Sequence, residues 1–241
     1  MKIVMKSDIG NTRDINQDNM DYVILDDSNA MAVLCDGMGG HLAGEVASKD
    51  TVKLVVDKYK QGELPENMIE SWMKTVILEA DQKVTLDSLT HAEHEGMGTT
   101  IVLACIKDHV LHLSNIGDSR AYLFDKDRLV QLTVDHTLVN ALVQNGTISE
   151  NEAQYHPQRN ILLQAIGGGS KLVIPYSKYD LSDELVLLCS DGLYNSLSPS
   201  QILSILQEDT SLEDKVDKLK KHSLLHGGFD NMSIILISLG D

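Results

Sequence analysis

Aspartates stand at the borders of several segments that are rich in β-forming residues. Strand ends at one edge of a sheet can converge, so these carboxylates can gather in a single cleft. Carboxylates that are crowded together repel one another and become partly protonated unless cations neutralise them. An oxygen-only ligand set favours Mg²⁺ or Mn²⁺ over zinc or copper. The positions that predict such a centre are Asp18, Asp36, Asp118, Asp191 and Asp230.

A glycine directly follows two of these aspartates, in Asp36-Gly37 and Asp191-Gly192. Asp-Gly is a common turn dipeptide, so each pair taken alone favours a simple turn. A glycine at this place also lets a backbone carbonyl approach a metal closely. The joint placement at strand ends favours the metal-site hypothesis. Seven histidines lack the spacing of metal ligands and are interpreted as surface or packing residues: His91, His94, His109, His112, His156, His222 and His226.

The chain has 241 residues, with 20 Lys and Arg against 36 Asp and Glu, and a formal net charge of −16. This charge, without a basic run, argues against nucleic acid and anionic membranes as partners. No run approaches the roughly 18 consecutive apolar residues that span a bilayer. Cys35, Cys105 and Cys189 each lie in an apolar run and are expected to be buried thiols. These features predict an intracellular, cytoplasmic protein.

Hydrophobic periodicity predicts two long helices in the first half of the chain, at 42–60 and 66–89. Short segments typical of strands surround them, and no linker rich in Pro, Gly or Ser interrupts the chain. Residues 1–241 are therefore expected to form a single domain. The order of elements favours antiparallel sheets with helices on their outer faces over an alternating parallel fold.

The expected strands are Lys2–Ser7, Tyr22–Asp26, Ala30–Cys35, Thr99–Lys107, Val110–Ile116, Ala121–Phe124, Leu129–Leu132, Lys171–Ser177, Glu184–Leu188 and Met232–Ser238. Four later helices are expected. One lies at Leu138–Val143, a short one begins after the capping box of Ser149 and Glu152, and the last two lie at Pro199–Leu206 and Ser211–Lys221.

Seven short stretches, in a fixed order from residue 10 to residue 233, make the chain recognisable. Any one of them is a weak signal, but the ordered set is specific. The chain resembles the bacterial branch of the metal-dependent protein phosphatase 2C family, which dephosphorylates serine and threonine. The stretches are Gly10-Asn11-Thr12-Arg13-Asp14-Ile15-Asn16-Gln17-Asp18, Cys35-Asp36-Gly37-Met38-Gly39-Gly40-His41, Gly96-Met97-Gly98-Thr99-Thr100, Asn115-Ile116-Gly117-Asp118-Ser119-Arg120, Thr133-Val134-Asp135-His136, Cys189-Ser190-Asp191-Gly192-Leu193 and Asp230-Asn231-Met232-Ser233.

The resemblance implies an α+β fold, a four-layer α-β-β-α sandwich of two antiparallel sheets flanked by pairs of helices. It implies an enzyme that acts on phosphorylated proteins as a monomer and opposes a bacterial Ser/Thr kinase, which is itself an expected substrate. Residues at about 136–169 resemble the flap beside the active site of the family. The alternative for this polar, turn-rich segment is a surface excursion without a role.

The resemblance also implies a metal centre of two Mn²⁺ or Mg²⁺ ions, with a third at a weaker site. Asp36 is expected to bridge the first two ions, and the carbonyl of Gly37 to bind one of them. Asp191 and Asp230 match the ligands of the other ion. Asp118 resembles the ligand of the third ion, which it shares with Asp191.

By the same resemblance, Arg13 grips the substrate phosphate and Asp18 holds metal-bound water. Two cations that share a carboxylate lower the pKa of a bridging water, so that hydroxide attacks phosphorus directly. Arg13 would hold the phosphorus in position for this attack. A cysteine phosphatase would need Cys-x5-Arg, which is absent from the sequence.

Three positions depart from the pattern of the family. Met38 stands where many eukaryotic members have histidine, so the resemblance does not assign the proton donor to the leaving group. His41 is the nearest candidate, and a purely structural hydrogen bond in its loop is an equal alternative. Gln17 replaces a frequent acidic ligand, and Gln164 replaces an arginine beside the flap.

Two other functions remain open from the sequence. The first is a catalytically silent relative that binds phosphoprotein or metal, although intact Arg13, Asp36, Asp191 and Asp230 argue against it. The second is a phosphohydrolase that acts on small phosphate esters with the same site.

Overall fold

The computed structural model describes residues 1–39, 43–62 and 64–240, and within them two antiparallel β-sheets and two groups of helices. The strands are β1 (Lys2–Asp8), β2 (Asp18–Asp26), β3 (Asn29–Met38), β4 (Gly98–Thr99), β5 (Ile101–Lys107), β6 (Val110–Ile116), β7 (Arg120–Asp125), β8 (Arg128–Gln131), β9 (Ser177–Asp180), β10 (Leu185–Cys189) and β11 (Met232–Ser238). The helices are α1 (Ala43–Tyr59), α2 (Glu66–Thr90), α3 (Leu138–Gln144), α4 (Glu150–Gln154), α5 (Asp191–Tyr194), α6 (Pro199–Leu206) and α7 (Leu212–Leu225), with a 3₁₀ turn at Ala92–His94.

The two sheets draw strands from both ends of the chain. One sheet has the order β1-β11-β10-β7-β8, and the other has the order β2-β3-β5-β6-β9, with β4 paired to β3. The pairing of β1 with β11 runs from Lys2 opposite Ser238 to Asp8 opposite Met232. This long-range pairing brings the first and last strands together beside the segments that carry Arg13 and Asp230.

Three apolar clusters separate the layers of the fold. Alternate residues of β3 face opposite ways: Met31, Val33 and Cys35 pack against α1 and α2, whereas Ala32 and Leu34 pack between the sheets. The third cluster joins the outer face of the other sheet to α6 and α7. The layer order is therefore α-β-β-α, as expected from the element order and from the resemblance.

Most predicted elements are confirmed to within a few residues. The predicted strand Lys171–Ser177 is wrong, because the strand of this region is β9, at Ser177–Asp180. Leu172, Ile174 and Tyr176 do alternate toward the first apolar cluster, but their backbone does not form a sheet ladder. Pro175 lacks the N–H that a ladder needs, which fits this irregular path.

Cys35, Cys105 and Cys189 are buried and unpaired, as the sequence predicts. In the described part of the chain, no helix is both long enough and apolar enough to cross a membrane.

Candidate active site and metal centre

Asp18 and Asp36 lie directly opposite each other on neighbouring strands. They are paired residues of β2 and β3. The sequence placed Asp18 before a strand that begins at Tyr22, whereas it is the first residue of that strand. Asp18 is 6% exposed, and its Oδ2 accepts a hydrogen bond from Ser190 Oγ at 2.7 Å. The two carboxyl groups are therefore brought together by strand register.

The backbone of Asp36 is held by two threonines. The Asp36 N–H donates to Thr100 Oγ1 at 2.9 Å, and the Asp36 carbonyl accepts from Thr99 Oγ1 and from the Thr100 N–H, each at 2.9 Å. Ser119 Oγ lies 2.7 Å from Thr100 Oγ1. These bonds fix the peptide on both sides of Asp36, so its side chain enters the cleft from a rigid support.

Asp191 begins a one-turn helix, α5, directly after β10. Its Oδ2 accepts a hydrogen bond from Asn195 Nδ2 at 3.1 Å. Asp118 lies in the turn between β6 and β7, and its carbonyl accepts a hydrogen bond from Tyr194 Oη at 3.0 Å. The short helix thus carries Asp191 at its start and supports the Asp118 turn from its end.

Arg13 and Asp230 form an ion pair at the mouth of the cleft, with Arg13 Nη2 2.7 Å from Asp230 Oδ2. The loop that carries Arg13 is fastened by Asn231, whose Nδ2 donates to the carbonyls of Ile9 and Ile15 at 2.9 Å. Asn231 Oδ1 accepts from the Gln17 N–H at 2.9 Å. Because Asn231 follows Asp230 in the chain, one segment positions both charged partners.

The carboxyl groups of this cluster are strongly perturbed. Burial raises the pKa of Asp18 to about 6 and that of Asp118 to about 6. Burial, and then the negative charge of Asp18, raise the pKa of Asp36 well above its ordinary value. Burial and the charge of Asp118 do the same for the pKa of Asp191. Such a concentration of buried like charge requires positive charge to be stable in its ionised form.

Two glycines let separate backbones approach each other beside these carboxylates. A Cβ at Gly37 would overlap the carbonyl oxygen of Gly44, and a Cβ at Gly192 would overlap that of Asn231. The glycine after Asp36 and after Asp191 is therefore required by packing. The turn interpretation of Asp36-Gly37 fails, since both residues lie inside β3.

Six of the predicted site residues line one cleft of about 420 Å³. Asp18 lies beneath the cleft instead of on its wall. His41 lies outside the described residues. The three departures from the family pattern, Gln17, Met38 and Gln164, also line the cleft. The predicted residues on its surface are Arg13, Asp36, Gly37, Asp118, Asp191 and Asp230.

One wall of the cleft comes from the segment predicted as a flap. Asn160, Leu162, Leu163 and Gln164 line the cleft, and Ile166 exchanges backbone hydrogen bonds with Thr99 at 2.8 and 3.0 Å. The segment is therefore attached to the strand that precedes Thr100, while the side chains before it face the opening.

The start of the same segment is attached to the Asp118 turn. The guanidinium of Arg120 binds Asp135 in a bidentate manner, with Nη2 2.6 Å from Oδ2 and Nε 3.0 Å from Oδ1. The same group lies over the ring of Tyr194, 3.6 Å from its centroid. Since Tyr194 also donates a hydrogen bond to the Asp118 carbonyl, Arg120 connects Asp135, which directly precedes the predicted flap, to the acidic cluster.

The sequence did not assign roles to several residues that build this site. Thr100, Asn231, Ser190 and Arg120 all lie within the seven recognised stretches. Their membership of those stretches was the available signal. Their contacts cross between segments that are far apart in the chain, so spacing alone did not reveal what they do.

Comparison with known proteins agrees with this geometry. The sequence profile described as "Protein phosphatase 2C" matches residues 12–142. The serine/threonine phosphatase stp of Listeria welshimeri is 36% identical over 244 residues, which cover 98% of this chain and 95% of the relative.

Solved structures show the same relationship. The serine/threonine phosphatase Stp1 from Staphylococcus aureus superposes with a TM-score of 0.94 at 32% identity, covering 100% of this chain and 95% of the other. The catalytic domain of the serine threonine protein phosphatase PstP, solved in complex with two manganese ions, has a TM-score of 0.84 at 29% identity and covers 98% and 96%. The profile match and the full-length relatives establish that the chain belongs to the protein phosphatase 2C family.

Proposed function

We propose that the chain is a metal-dependent phosphatase of phosphoserine and phosphothreonine in proteins, with its active site in the acidic cleft. One observation carries this proposal: Asp36, Asp118, Asp191 and Asp230 converge there, with Asp18 beneath them. Among the described residues, Arg13 is the cation that lines the cleft. A phosphate monoester needs positive charge, and among the described lining residues only the Arg13 side chain supplies it.

The residues present fit divalent cations. Asp18 Oδ1 and Asp191 Oδ1 are buried without a hydrogen-bond partner in the described structure. The donors are oxygen atoms, which suits Mg²⁺ or Mn²⁺. Asp36 and the Gly37 carbonyl would hold one ion, and Asp36 would share a second with Asp191 and Asp230. Asp118, with Asp191, would hold a third.

When bound, such ions acidify water and neutralise charge on phosphoryl oxygens. Arg13 is exposed on its loop and presents a forked donor that matches two phosphate oxygens. Its partner Asp230 and the clamp of Asn231 restrict where the guanidinium can go. Asp18 offers Oδ1 as an acceptor behind Asp36, and Ser190 keeps its other oxygen in place. The general acid stays a sequence prediction at His41.

We further propose that residues 1–241 act as a single catalytic domain, with residues 136–169 as its flap. The protein would work as a monomer in the cytoplasm on phosphorylated proteins, a cognate Ser/Thr kinase among them. The negative charge of −16 supports the exclusion of nucleic acid as a partner.

The experiment compares substrates under one metal condition. Purified protein with Mn²⁺ should hydrolyse an aryl phosphate and should prefer a phosphothreonine peptide to free phosphorylated metabolites. Absence of metal-dependent turnover would favour a silent, phosphoprotein-binding relative. A preference for metabolites would overturn the protein-phosphatase proposal and leave the metal site intact.

A further inference from the structure

A second group of metal-ligating side chains lies outside the cleft. Asp87 is near the end of α2, His91 caps that helix, and His94 ends the 3₁₀ turn that follows. One ligand atom of each residue lies within 4.8 Å of the others. His91 Nδ1 is 2.5 Å from Asp87 Oδ1, and His94 Nδ1 is 2.8 Å from Asp87 Oδ2. Two imidazoles therefore converge on one carboxylate.

The ligand types differ from those of the cleft. Imidazole nitrogen with a single carboxylate suits Zn²⁺ and related transition metals, whereas Mg²⁺ prefers oxygen alone. Two ligands on one tetrahedral Zn²⁺ lie about 3.4 Å apart, which small side-chain rotations reach from the observed separations. We propose that Asp87, His91 and His94 bind Zn²⁺, with water at the remaining position.

The position of the site allows such rotations without disturbing the core. The side chain of His91 is 53% exposed, and those of Asp87 and His94 are about one-fifth exposed. None of the three belongs to the apolar clusters. The open side faces solvent, so metal can enter directly.

A second histidine pair in the chain provides a comparison. His222 lies in the last turn of α7 and His226 is the C-cap residue of that helix, with ring centroids 6.5 Å apart. His226 Nδ1 is 2.8 Å from the backbone carbonyl of His222, and this pair is not among the described groups that bring three ligands together. Among the described residues, two histidines at similar spacing thus form a group of three ligands where Asp87 lies beside them.

The site would also fasten a segment that leads to the active cleft. The residues after His94 continue through Gly96, whose N–H donates to Ser88 Oγ at 3.1 Å, to Gly98 and Thr99 of β4. β4 pairs with Gly37 and Met38 of β3. A metal held by Asp87, His91 and His94 would therefore join the end of α2 to the segment that supports the Asp36 strand.

The test measures zinc binding in excess Mg²⁺, which competes with Zn²⁺ for the oxygen ligands proposed in the cleft, and the zinc equivalent is taken as the difference between the wild type and the histidine variant below. Calorimetric titration of the wild type with Zn²⁺ should show about one tight equivalent. Zinc at about 100 times its Kd should raise the Tm by roughly 5–10 °C. The His91→Ala/His94→Ala variant should lose both the equivalent and the shift, and Asp87→Asn should weaken binding.

The matched control is His222→Ala/His226→Ala, which removes two helical histidines and should keep the zinc equivalent. The Tm of each variant without zinc, measured alongside circular dichroism, shows that it folds. Absence of a tight equivalent in the wild type, or its persistence in folded His91→Ala/His94→Ala, would overturn the proposal. Neither outcome bears on the phosphatase proposal, since the three residues lie outside the cleft.

Discussion

The cleft has an acidic floor, formed by Asp36, Asp118, Asp191 and Asp230 above Asp18, and a wall at 160–164 that comes from the segment predicted as a flap. These two regions are built in opposite ways. The floor carries its carboxylates on paired strands and on the first residue of a helix, with the Asp36 peptide bonded on both sides. The wall carries Leu163 and Gln164 on irregular chain, and Leu163 is 48% exposed. Substitutions in the floor should therefore reduce catalytic activity with every substrate, whereas substitutions in the wall should mainly change the binding of peptide substrates.

The floor and the wall differ in construction because the floor contains buried carboxylates and the wall does not. Buried like charges have to be held in place against mutual repulsion, so Asp18, Asp36 and Asp191 need a rigid sheet and fixed partners. Side chains of the wall carry no such cost, and loops tolerate change in sequence. Five predictions test this division, from the largest expected effect to the smallest.

Asp36→Asn should reduce kcat/KM in Mn²⁺ by about 1,000-fold or more, because it removes the carboxylate proposed to bridge the metals. The measurement is aryl phosphate hydrolysis over a range of Mn²⁺ concentrations. Asp27→Asn, on an exposed residue, is the matched control and should leave kcat/KM unchanged. Activity that survives in Asp36→Asn would show that the floor does not hold the metals as proposed.

Arg13→Ala should lower kcat/KM by about 100-fold through the loss of the forked phosphate contact. Arg13→Lys keeps the charge but not the fork, so it should recover part of the activity. Kinetics of both variants with an aryl phosphate measure this. Equal activity in the alanine and lysine variants would contradict a bidentate role. Arg128→Ala, on another exposed arginine, should have no effect.

In the metal-free protein, the same Asp36→Asn change should raise the free energy of unfolding by about 1–3 kcal/mol at pH 7. Burial raises the folded-state pKa of Asp36 above its unfolded value, so ionisation opposes folding at neutral pH. Below about pH 4 the group is protonated in both states, and the gain should vanish.

Urea unfolding in chelator at several pH values measures this difference. His112 and His136 have a pKa lowered by burial and shift stability in the opposite direction, but they are common to both proteins and cancel in the comparison. A gain that does not depend on pH would show that charge burial is not its cause.

Arg120→Lys tests the connection between the two regions. Lysine cannot keep both the bidentate contact with Asp135 and the stacking on Tyr194. We expect a loss of about 2 kcal/mol in the free energy of unfolding and about tenfold in kcat/KM. Unfolding and kinetics are measured on the same preparation. If Arg120→Lys kept full activity and full stability, the contacts of Arg120 with Asp135 and Tyr194 would not be needed to support the acidic floor.

The sequence predicted the floor better than the wall for a physical reason. The four aspartates of the floor lie within or next to apolar strands whose sequence patterns predict strands, so the sequence predicts their convergence. The one-turn helix at Asp191 is too short to show hydrophobic periodicity. The sequence predicts that β2 begins at Tyr22, and therefore leaves Asp18 outside it, because the residues just before Tyr22 are mostly polar. Asp18 is a strand residue because it pairs with Asp36 of β3, and this pairing joins residues that are distant in the sequence.

The wall depends almost wholly on such long-range contacts. The bond from Arg120 to Asp135 and the pairing of Ile166 with Thr99 join segments that have no shared pattern. The prediction of a sheet strand at Lys171–Ser177 is wrong because β-forming residues do not reveal whether a partner strand exists, although Leu172, Ile174 and Tyr176 pack against the first apolar cluster. In the same way, the sequence does not predict the contact of His94 with Asp87, because the 3₁₀ turn after α2 brings these two side chains together.

Gln164→Ala gives the smallest expected effect and tests the wall alone. Gln164 Oε1 accepts a hydrogen bond from the Val173 N–H at 2.6 Å, so the side chain secures a neighbouring loop and carries no charge into the cleft. Turnover of an aryl phosphate, which has no peptide to contact the wall, should change by less than about threefold. The KM for a phosphothreonine peptide should rise more than that for the aryl ester, because only the peptide reaches Leu163 and Gln164. If Gln164→Ala lowered kcat/KM for the aryl phosphate as much as Arg13→Ala does, the wall would take part in catalysis, and the proposed difference in role between floor and wall would be wrong.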